Sequence, residues 1–209
     1  MTLIWILAFV VAITIHEASH ALMADRLGDP TARLSGRLSL NPLVHYDPIG
    51  TTLLLVLSIL RSLGVPIIPF GWAKPVPVDS YNLKNPKKDS AIISLAGPAS
   101  NLVIALIVSI IARVFPPFTI VAVPFVMLNV SLAVFNLIPI HPLDGGKILV
   151  GILPRKYAYE AEAFLSKFGT IILFLLILPS FGGSSLISSL ISPVMNLFFK
   201  LLLPQLPLT

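Results

Sequence analysis

The sequence predicts an all-α polytopic membrane protein with about five transmembrane helices, a re-entrant or interfacial segment and a short membrane-associated β ribbon. Of its 209 residues, 56% are hydrophobic and only 11% are charged, and the mean hydropathy is +0.95. An ordinary soluble domain carries about a quarter charged residues, whereas apolar runs near 20 residues match the thickness of a bilayer. The composition therefore excludes an ordinary soluble globule.

The first apolar run, residues 3–24, lacks the basic start and the cleavage pattern of a signal peptide, so we interpret it as a retained helix. Further spans are predicted at residues 90–114, 119–138, 168–178 and 186–203. We expect two parts: an intramembrane core at residues 1–153 and a C-terminal transmembrane hairpin at residues 154–209.

Two connecting segments are predicted to be extended. In residues 33–40, Arg33, Ser35 and Arg37 alternate with leucine and glycine, which is the two-residue period of a strand. We therefore expect a β ribbon there, with an exposed edge to which another extended segment can add. The segment from Pro66 to Pro77 is rich in proline and glycine, and it is the alternative for that role.

Orientation follows from the distribution of lysine and arginine. If residues 49–68 enter and leave by one face, the basic residues of the connecting segments gather on one side, with Arg113 alone on the other. Cytoplasmic segments hold such an excess, so we expect a cell-membrane protein with its amino terminus outside. The basic residues are scattered rather than clustered, which argues against a nucleic-acid partner.

The chemistry begins at His16-Glu17-Ala18-Ser19-His20, an H-E-x-x-H pattern inside an apolar run. Four residues advance a helix by about 400°, so both imidazoles emerge on one face and can chelate one zinc ion. Glu17 lies beside that face, where a base can take a proton from water. The alternative is polar pairing inside a helix bundle, but ionisable groups in a bilayer are costly unless they serve a site.

The third metal ligand cannot be cysteine, because the chain has none. Catalytic zinc is held by three protein ligands, and Asp144 is the leading candidate for the third. It lies between Pro142 and the pair Gly145-Gly146, where prolines interrupt a helix and glycines permit close backbone approach. The alternative role for Asp144 is a helix cap at the membrane surface.

With these motifs, the sequence resembles the site-2 protease family of intramembrane zinc metalloproteases. The resemblance spans about residues 5–153 and also includes Ala96-Gly97-Pro98-Ala99-Ser100-Asn101 and the run from Asn136 to Gly146. It implies one Zn²⁺ per chain held by His16, His20 and Asp144, with Glu17 as the catalytic base. The chain is similar to the short prokaryotic form, which has no PDZ or CBS domain.

The resemblance further implies that Asn101 and Asn136 line the site and hold the substrate backbone or the developing oxyanion. A neutral amide can donate such a hydrogen bond without burying another ion. The alternative for both is a hydrogen bond between helices. His45 is interpreted as an interfacial hydrogen-bonding residue, with a role near the metal or in gating as the alternative. His141 either supports the metal site or lies at its cytosolic mouth.

The resemblance implies partners as well: transmembrane protein substrates, such as membrane-bound regulators of the anti-sigma type, cleaved toward the cytosolic side of the lipid bilayer. We expect the exposed edge at residues 33–40 to hold the unwound substrate. Two rivals are a metal transporter and an inactive adaptor that binds transmembrane helices. The first needs ionisable groups through the outer half of the spans, and the second has no need of Glu17.

Overall fold

The computed structural model describes residues 2–65, 71–178 and 185–203, and within these ranges the chain is all-helical, without an extended strand. The α-helices are, in chain order, α1 (Thr2–Arg26), α2 (Thr31–Leu34), α3 (Gly50–Ser62), α4 (Pro86–Val114), α5 (Thr119–Asn136), α6 (Asp144–Ile152), α7 (Arg155–Ile177) and α8 (Leu186–Leu202). Single 3₁₀ turns occupy Pro42–His45, Ser80–Asn82 and Pro116–Phe118. The predicted all-α class is confirmed.

Three described helices are long and apolar enough to cross a membrane: Leu3–Arg26, Pro86–Val114 and Pro116–Asn136. The shortest has 21 residues and extends about 32 Å, which matches a hydrocarbon core of about 30 Å. They coincide with the first three predicted spans. The two C-terminal spans stay predictions, because α8 is a shorter apolar helix of 17 residues and α7 carries charged side chains in its first half.

The prediction of a β ribbon at residues 33–40 is wrong. Helix α2 occupies Thr31–Leu34, and the chain then reverses through Gly36, whose φ of 68° lies in the left-handed region that favours glycine. The Arg37 N–H donates to the carbonyl of Ala32 at 2.8 Å. Local hydrogen bonds within a tight turn thus satisfy backbone groups that a strand would direct to a neighbouring chain.

The apolar segment predicted at residues 49–68 contains α3, a helix of 13 residues. At 1.5 Å per residue it extends about 20 Å, which is too short to cross a bilayer alone. Residues 66–70, the end of that segment, lie outside the described residues. Residues 71–79 follow without helical structure.

Helix α4 lies at the centre and packs against α1, α5 and α6. Within lipid, helices associate by close packing of small side chains, and this bundle buries alanines throughout its contacts. The fully or almost fully buried alanines of the three long helices are Ala8, Ala12, Ala21, Ala24, Ala105, Ala112, Ala122 and Ala133. Helix α8 covers the outer side of α4 and α5, where its Ile191, Met195 and Phe198 contact the cluster of Ala105, Val126, Val130 and Val134.

The loops that follow α1 and α3 are joined by hydrogen bonds. The carboxylate of Asp29 is fully buried and accepts from the Asp79 N–H at 2.7 Å and from the Asn82 amide at 2.9 Å. Burial by itself raises the pKa of Asp29, but the hydrogen bonds from Thr31, Asn82 and the backbone outweigh burial and lower it. A second link runs from the Lys74 N–H to the His45 carbonyl at 2.9 Å. Both loops therefore lie on the same face of the bundle.

Candidate metal centre

His16 and His20 occupy successive turns of α1 and face the interior of the bundle, with 4% and 8% of their surfaces exposed. Their rings are nearly perpendicular, at 87°, with centroids 4.6 Å apart. This arrangement brings the two Nε2 atoms to 3.1 Å. The i, i+4 spacing has the geometric effect expected from the sequence.

The other ring nitrogen of His20 is held by α4. Its Nδ1 lies 2.7 Å from the carbonyl oxygen of Ile93, which can only accept a hydrogen bond. Nδ1 must therefore carry the proton. Pro98 has no N–H, so the carbonyl of Ser94, the residue after Ile93, has no helical hydrogen bond from Pro98.

His16 is held in the same way by Asn101, whose Oδ1 lies 2.7 Å from Nδ1 of the ring. The orientation of this amide is settled by its other atom, because Nδ2 donates to the Ala12 carbonyl at 3.0 Å and to Oδ1 of Asn129 at 2.8 Å. Asn101 therefore presents an acceptor to His16, and Nδ1 of His16 carries its proton. With Nδ1 of each ring directed at its acceptor, both Nε2 atoms face the same space, where an unprotonated Nε2 can bind a metal ion.

Asp144, the first residue of α6, completes the group. Its Oδ2 lies 3.2 Å from Nε2 of His16 and 3.3 Å from Nε2 of His20. Gly145 makes this possible: a Cβ there would lie 2.2 Å from the Ile138 carbonyl oxygen, so only glycine lets α6 begin so close to the end of α5. The close backbone approach expected from the glycine pair is confirmed.

These three atoms have the chemistry and spacing to bind a metal ion. Two imidazole lone pairs and a carboxylate oxygen repel one another unless a cation lies between them, and Oδ2 of Asp144 is buried without a hydrogen-bond donor. Their separations of 3.1 to 3.3 Å match the edge of about 3.3 Å that Zn–N bonds of about 2.0–2.1 Å give in a tetrahedron. His16, His20 and Asp144 can thus hold one ion. The bare carboxylate oxygen also argues against a helix-capping role for Asp144.

Glu17 follows His16 on α1 and is half-buried. It lies outside the three-atom group, as its position about 100° around the helix from His16 requires. Its negative charge acts on His20 and on Arg37, a buried residue of the loop after α2. Glu17 is thus a carboxylate within electrostatic range of His20 that is not one of the three candidate ligands.

The structure changes the interpretation of Asn101. Its amide nitrogen already donates to Ala12 and Asn129, so no donor is left for a substrate oxyanion. Asn136, the last residue of α5, is half-buried and donates to the Leu132 carbonyl at 2.9 Å. In the structure this amide therefore donates a hydrogen bond within α5.

The two remaining histidines lie apart from the three ligand atoms. His45 is almost fully buried, and its Nε2 is 2.9 Å from the Ser39 carbonyl oxygen, so it holds a loop together. The backbone of His141 packs against Gly169 of α7, at which a Cβ would lie 2.5 Å from the His141 carbonyl oxygen. Burial, followed by the charge of Lys147, lowers the pKa of His141.

Sequence reasoning overlooked Asn129. It is fully buried in α5, receives the hydrogen bond of Asn101 and donates to the Phe125 carbonyl at 2.8 Å. The sequence did contain a signal for it. Asn129 is an amide in the middle of an apolar span, and it lies seven residues before Asn136, which places both on nearly the same face of the helix.

The role of Gly97 was likewise only partly foreseen. A Cβ at this position would lie 2.5 Å from Nε2 of His20 and 2.7 Å from Cε1 of His16. Glycine here lets the backbone of α4 lie directly against both rings.

Comparison with known proteins agrees with this geometry. The profile of peptidase family M50 matches residues 117–176. The Bacillus subtilis protein YwhC, described as a proposed zinc metalloprotease, is 34% identical over 174 residues, which cover 76% of this chain and 74% of YwhC. No solved structure matches the chain.

Two further relatives share part of their length with it. Rip2 of Mycolicibacterium smegmatis, also described as a proposed zinc metalloprotease, is 36% identical over 67% of this chain and 53% of Rip2. The zinc metalloprotease MJ0392 of Methanocaldococcus jannaschii is 39% identical over 80 residues, 36% of this chain and 23% of MJ0392. The chain thus spans about half of Rip2 and a quarter of MJ0392.

Proposed function

Because the chain belongs to peptidase family M50, it is a peptide hydrolase of the zinc metalloprotease type, and we propose that it cleaves peptide bonds within or next to transmembrane segments of other membrane proteins. One observation carries this proposal: two imidazole nitrogens and a carboxylate oxygen, all potential metal ligands, converge inside a bundle of membrane-length helices. A site at that depth is suited to a substrate that is itself in the membrane.

We assign metal binding to Nε2 of His16, Nε2 of His20 and Oδ2 of Asp144. Zinc at this position supplies Lewis-acid chemistry, since it acidifies water and polarises a peptide carbonyl. Asn101 and the Ile93 carbonyl hold the two rings with their lone pairs inward, as carboxylates or carbonyls do around other metal-binding histidines.

Glu17 is the proposed general base and acid. Its carboxylate takes a proton from the attacking water and then delivers that proton to the nitrogen of the leaving amine, so the peptide bond breaks without a free charged amide. Glu17 can do this because it lies next to the ligand atoms without joining them. Asn136 is the remaining amide proposed to bind the carbonyl oxygen of the scissile bond. Its Nδ2 carries two hydrogens, so it can keep its hydrogen bond to the Leu132 carbonyl and donate the second one to substrate.

The proposed topology has five spans, with the C-terminal hairpin of residues 154–209 added to the core of residues 1–153. The amino terminus is outside and the site opens toward the cytosol. The proposed substrates are single-span proteins, and membrane-bound regulators such as anti-sigma factors are the class that the resemblance implies.

The test is cleavage by purified protein in detergent. Wild type and Glu17→Gln, both loaded with zinc, are incubated with a panel of single-span membrane proteins, and products are located by mass spectrometry. Wild type should cut at least one member within or near its apolar segment, and Glu17→Gln should cut none. Equal cleavage by both proteins, or cuts confined to soluble regions, would overturn the proposal.

A further inference from the structure

Arg37 is a buried cation in a connecting loop. Only 5% of its surface is exposed, although it lies between α2 and the turn Pro42–His45. Arg33, four residues earlier in α2, behaves as a surface arginine usually does: its side chain is 59% exposed and pairs with Asp25 at 2.8 Å. The two arginines therefore have different roles, because a guanidinium is rarely removed from water without a reason.

The position of Arg37 is well defined. Its backbone N–H donates to the Ala32 carbonyl at 2.8 Å, and its Nη2 donates to the carbonyl of Lys74. The Lys74 N–H in turn donates to the His45 carbonyl. Arg37 is thus held between two loops that cover the same end of α1.

One donor of Arg37 finds no acceptor among the residues that the structure describes. Its Nε is buried, and no acceptor contacts it anywhere in the part of the chain that the structure describes. Leaving a buried donor without an acceptor destabilises a protein, and more so when the donor carries charge. Such an atom at a functional site is a place where a ligand can supply the missing acceptor.

Glu17 relates this donor to the chemistry. Burial lowers the pKa of Arg37, and the charge of Glu17 is the opposing contribution. The charges of the two groups thus act on each other, although the described residues include no ion pair within 4.0 Å between them. A charged donor therefore lies within electrostatic range of the carboxylate that we propose as the base.

A peptide backbone has the chemistry to fill this place. A transmembrane helix that is unwound for cleavage exposes carbonyl oxygens that have lost their helical partners, and lipid offers them none. Arginine is suited to bind them, because its N–H donors have fixed directions and its charge does not depend on pH. A neutral carbonyl also leaves Glu17 ionised and available as a base.

We propose that Arg37 is a substrate-binding residue whose Nε–H donates to a backbone carbonyl of the extended substrate segment beside the cleaved bond. This inference rests on the proposed function. Residues 33–40 were expected to bind the substrate through the backbone groups of a strand edge. In this inference the same segment binds the substrate through a side-chain donor instead.

The test compares two zinc-directed probes on zinc-loaded protein in detergent. Acetohydroxamate binds the metal alone, whereas a capped hydrophobic tripeptide hydroxamate adds backbone carbonyls; the dissociation constant of each is measured by titration calorimetry. Arg37→Lys keeps the charge and a donor for Lys74 but removes Nε. Arg33→Lys is the matched control.

We expect Arg37→Lys to weaken the tripeptide probe about tenfold or more, as the loss of one charge-assisted hydrogen bond implies. Acetohydroxamate affinity and zinc content should stay unchanged, and Arg33→Lys should match wild type with both probes. Unchanged binding of the tripeptide probe, or an equal loss with both probes, would overturn the assignment.

A second measurement needs no protein variant. Each amide of the tripeptide probe is replaced in turn by an alkene, which removes one carbonyl. On wild type, one replacement should weaken binding about tenfold, and where Arg37→Lys is folded that loss should be absent from it. If no replacement weakens binding to wild type, the inference is wrong. If wild type binds neither zinc nor acetohydroxamate, the proposed function itself fails.

Discussion

Oδ1 of Asn101 lies 2.7 Å from Nδ1 of His16, and this contact determines which nitrogen of His16 faces Asp144. The amide is itself oriented by the Ala12 carbonyl, which accepts from Nδ2. A chain of hydrogen bonds thus runs from Asn129 in α5 through Asn101 in α4 to Nδ1 of His16 on α1, the ring nitrogen opposite the one assigned to bind metal. Side chains from α4 and α5 thus orient the His16 ring of α1 so that its Nε2 faces Asp144.

Replacing Asn101 should therefore weaken metal binding without removing a ligand. Asn101→Leu fills a similar volume but leaves Nδ1 of His16 without an acceptor, and we expect zinc affinity to fall roughly 10- to 100-fold. Asn129→Leu acts one bond further away and should lower the affinity less. Zinc competition with a chelator of known affinity measures both. An Asn101→Leu protein with wild-type affinity would show that His16 needs no such partner.

Substitution of the ligands should separate binding from catalysis. His16→Ala, His20→Ala and Asp144→Ala should each lose most of the bound zinc, because catalytic sites have only three protein ligands. Glu17→Gln should keep stoichiometric zinc and lose cleavage. Atomic absorption on purified protein gives the metal content. Loss of zinc from Glu17→Gln, or full zinc in Asp144→Ala, contradicts the assignment.

Gly97→Ala tests the close contact of α4 with the two rings. The added Cβ would lie 2.5 Å from Nε2 of His20, the atom assigned to bind metal, so a ring or a helix must move. We expect zinc affinity and activity to fall at least tenfold. Ala99→Val, on an exposed position of the same helix, is the control and should retain both. Equal behaviour of the two variants would mean that the bundle accommodates the methyl group easily.

Asp29 should make the stability of the loops dependent on acid. The pKa of Asp29 is lowered in the folded protein. The ionised carboxylate therefore stabilises the fold fully at pH values above the ordinary Asp pKa of about 4, and this stabilisation is lost as pH falls through the lower pKa of the folded state. Asp29→Asn should reduce stability by roughly 2 kcal/mol at neutral pH and flatten the loss at low pH. Thermal unfolding in detergent at a series of pH values measures this.

Asp25→Asn is the comparison for that experiment. Asp25 pairs with the exposed Arg33, and a surface ion pair contributes about 1 kcal/mol or less. Asp25→Asn should leave the midpoint temperature of thermal unfolding almost unchanged at neutral pH. If Asp25→Asn destabilises as much as Asp29→Asn, the buried hydrogen bonds of Asp29 are not the source of the effect.

The loop links also predict topology. Asp29 bonds to Asp79 and Asn82, and His45 bonds to Lys74, so the loops before and after α3 cannot be on opposite faces of a membrane. Tags placed in residues 26–47 and 79–89 should both report the cytosol in an accessibility assay. Tags on opposite sides would require α3 to cross and would break every one of these bonds.

The sequence by itself determined the class of the fold and the identity of the candidate ligands. Membrane spans can be predicted because the length of an apolar run depends only on consecutive residues, as residues 90–114 illustrate. His16 and His20 were predicted as a pair because the helical period places them together whatever the rest of the chain does. The prolines and glycines around Asp144 made it the leading candidate for the third ligand, and the resemblance implied the same residue. The family model and the relatives support the family.

The tertiary structure decided everything that depends on contacts between distant segments. The alternation in residues 33–40 predicted a strand, yet turn formation at Gly36 and burial of Arg37 gave a compact loop, because periodicity does not reveal which partner a backbone group finds. Asn101 and Asn129 were assigned their partners only by the packing of α4 between α1 and α5. Which nitrogen of His16 faces the site is likewise a property of neighbours 85 and more residues away, since a hydrogen bond is specified by the position of its acceptor.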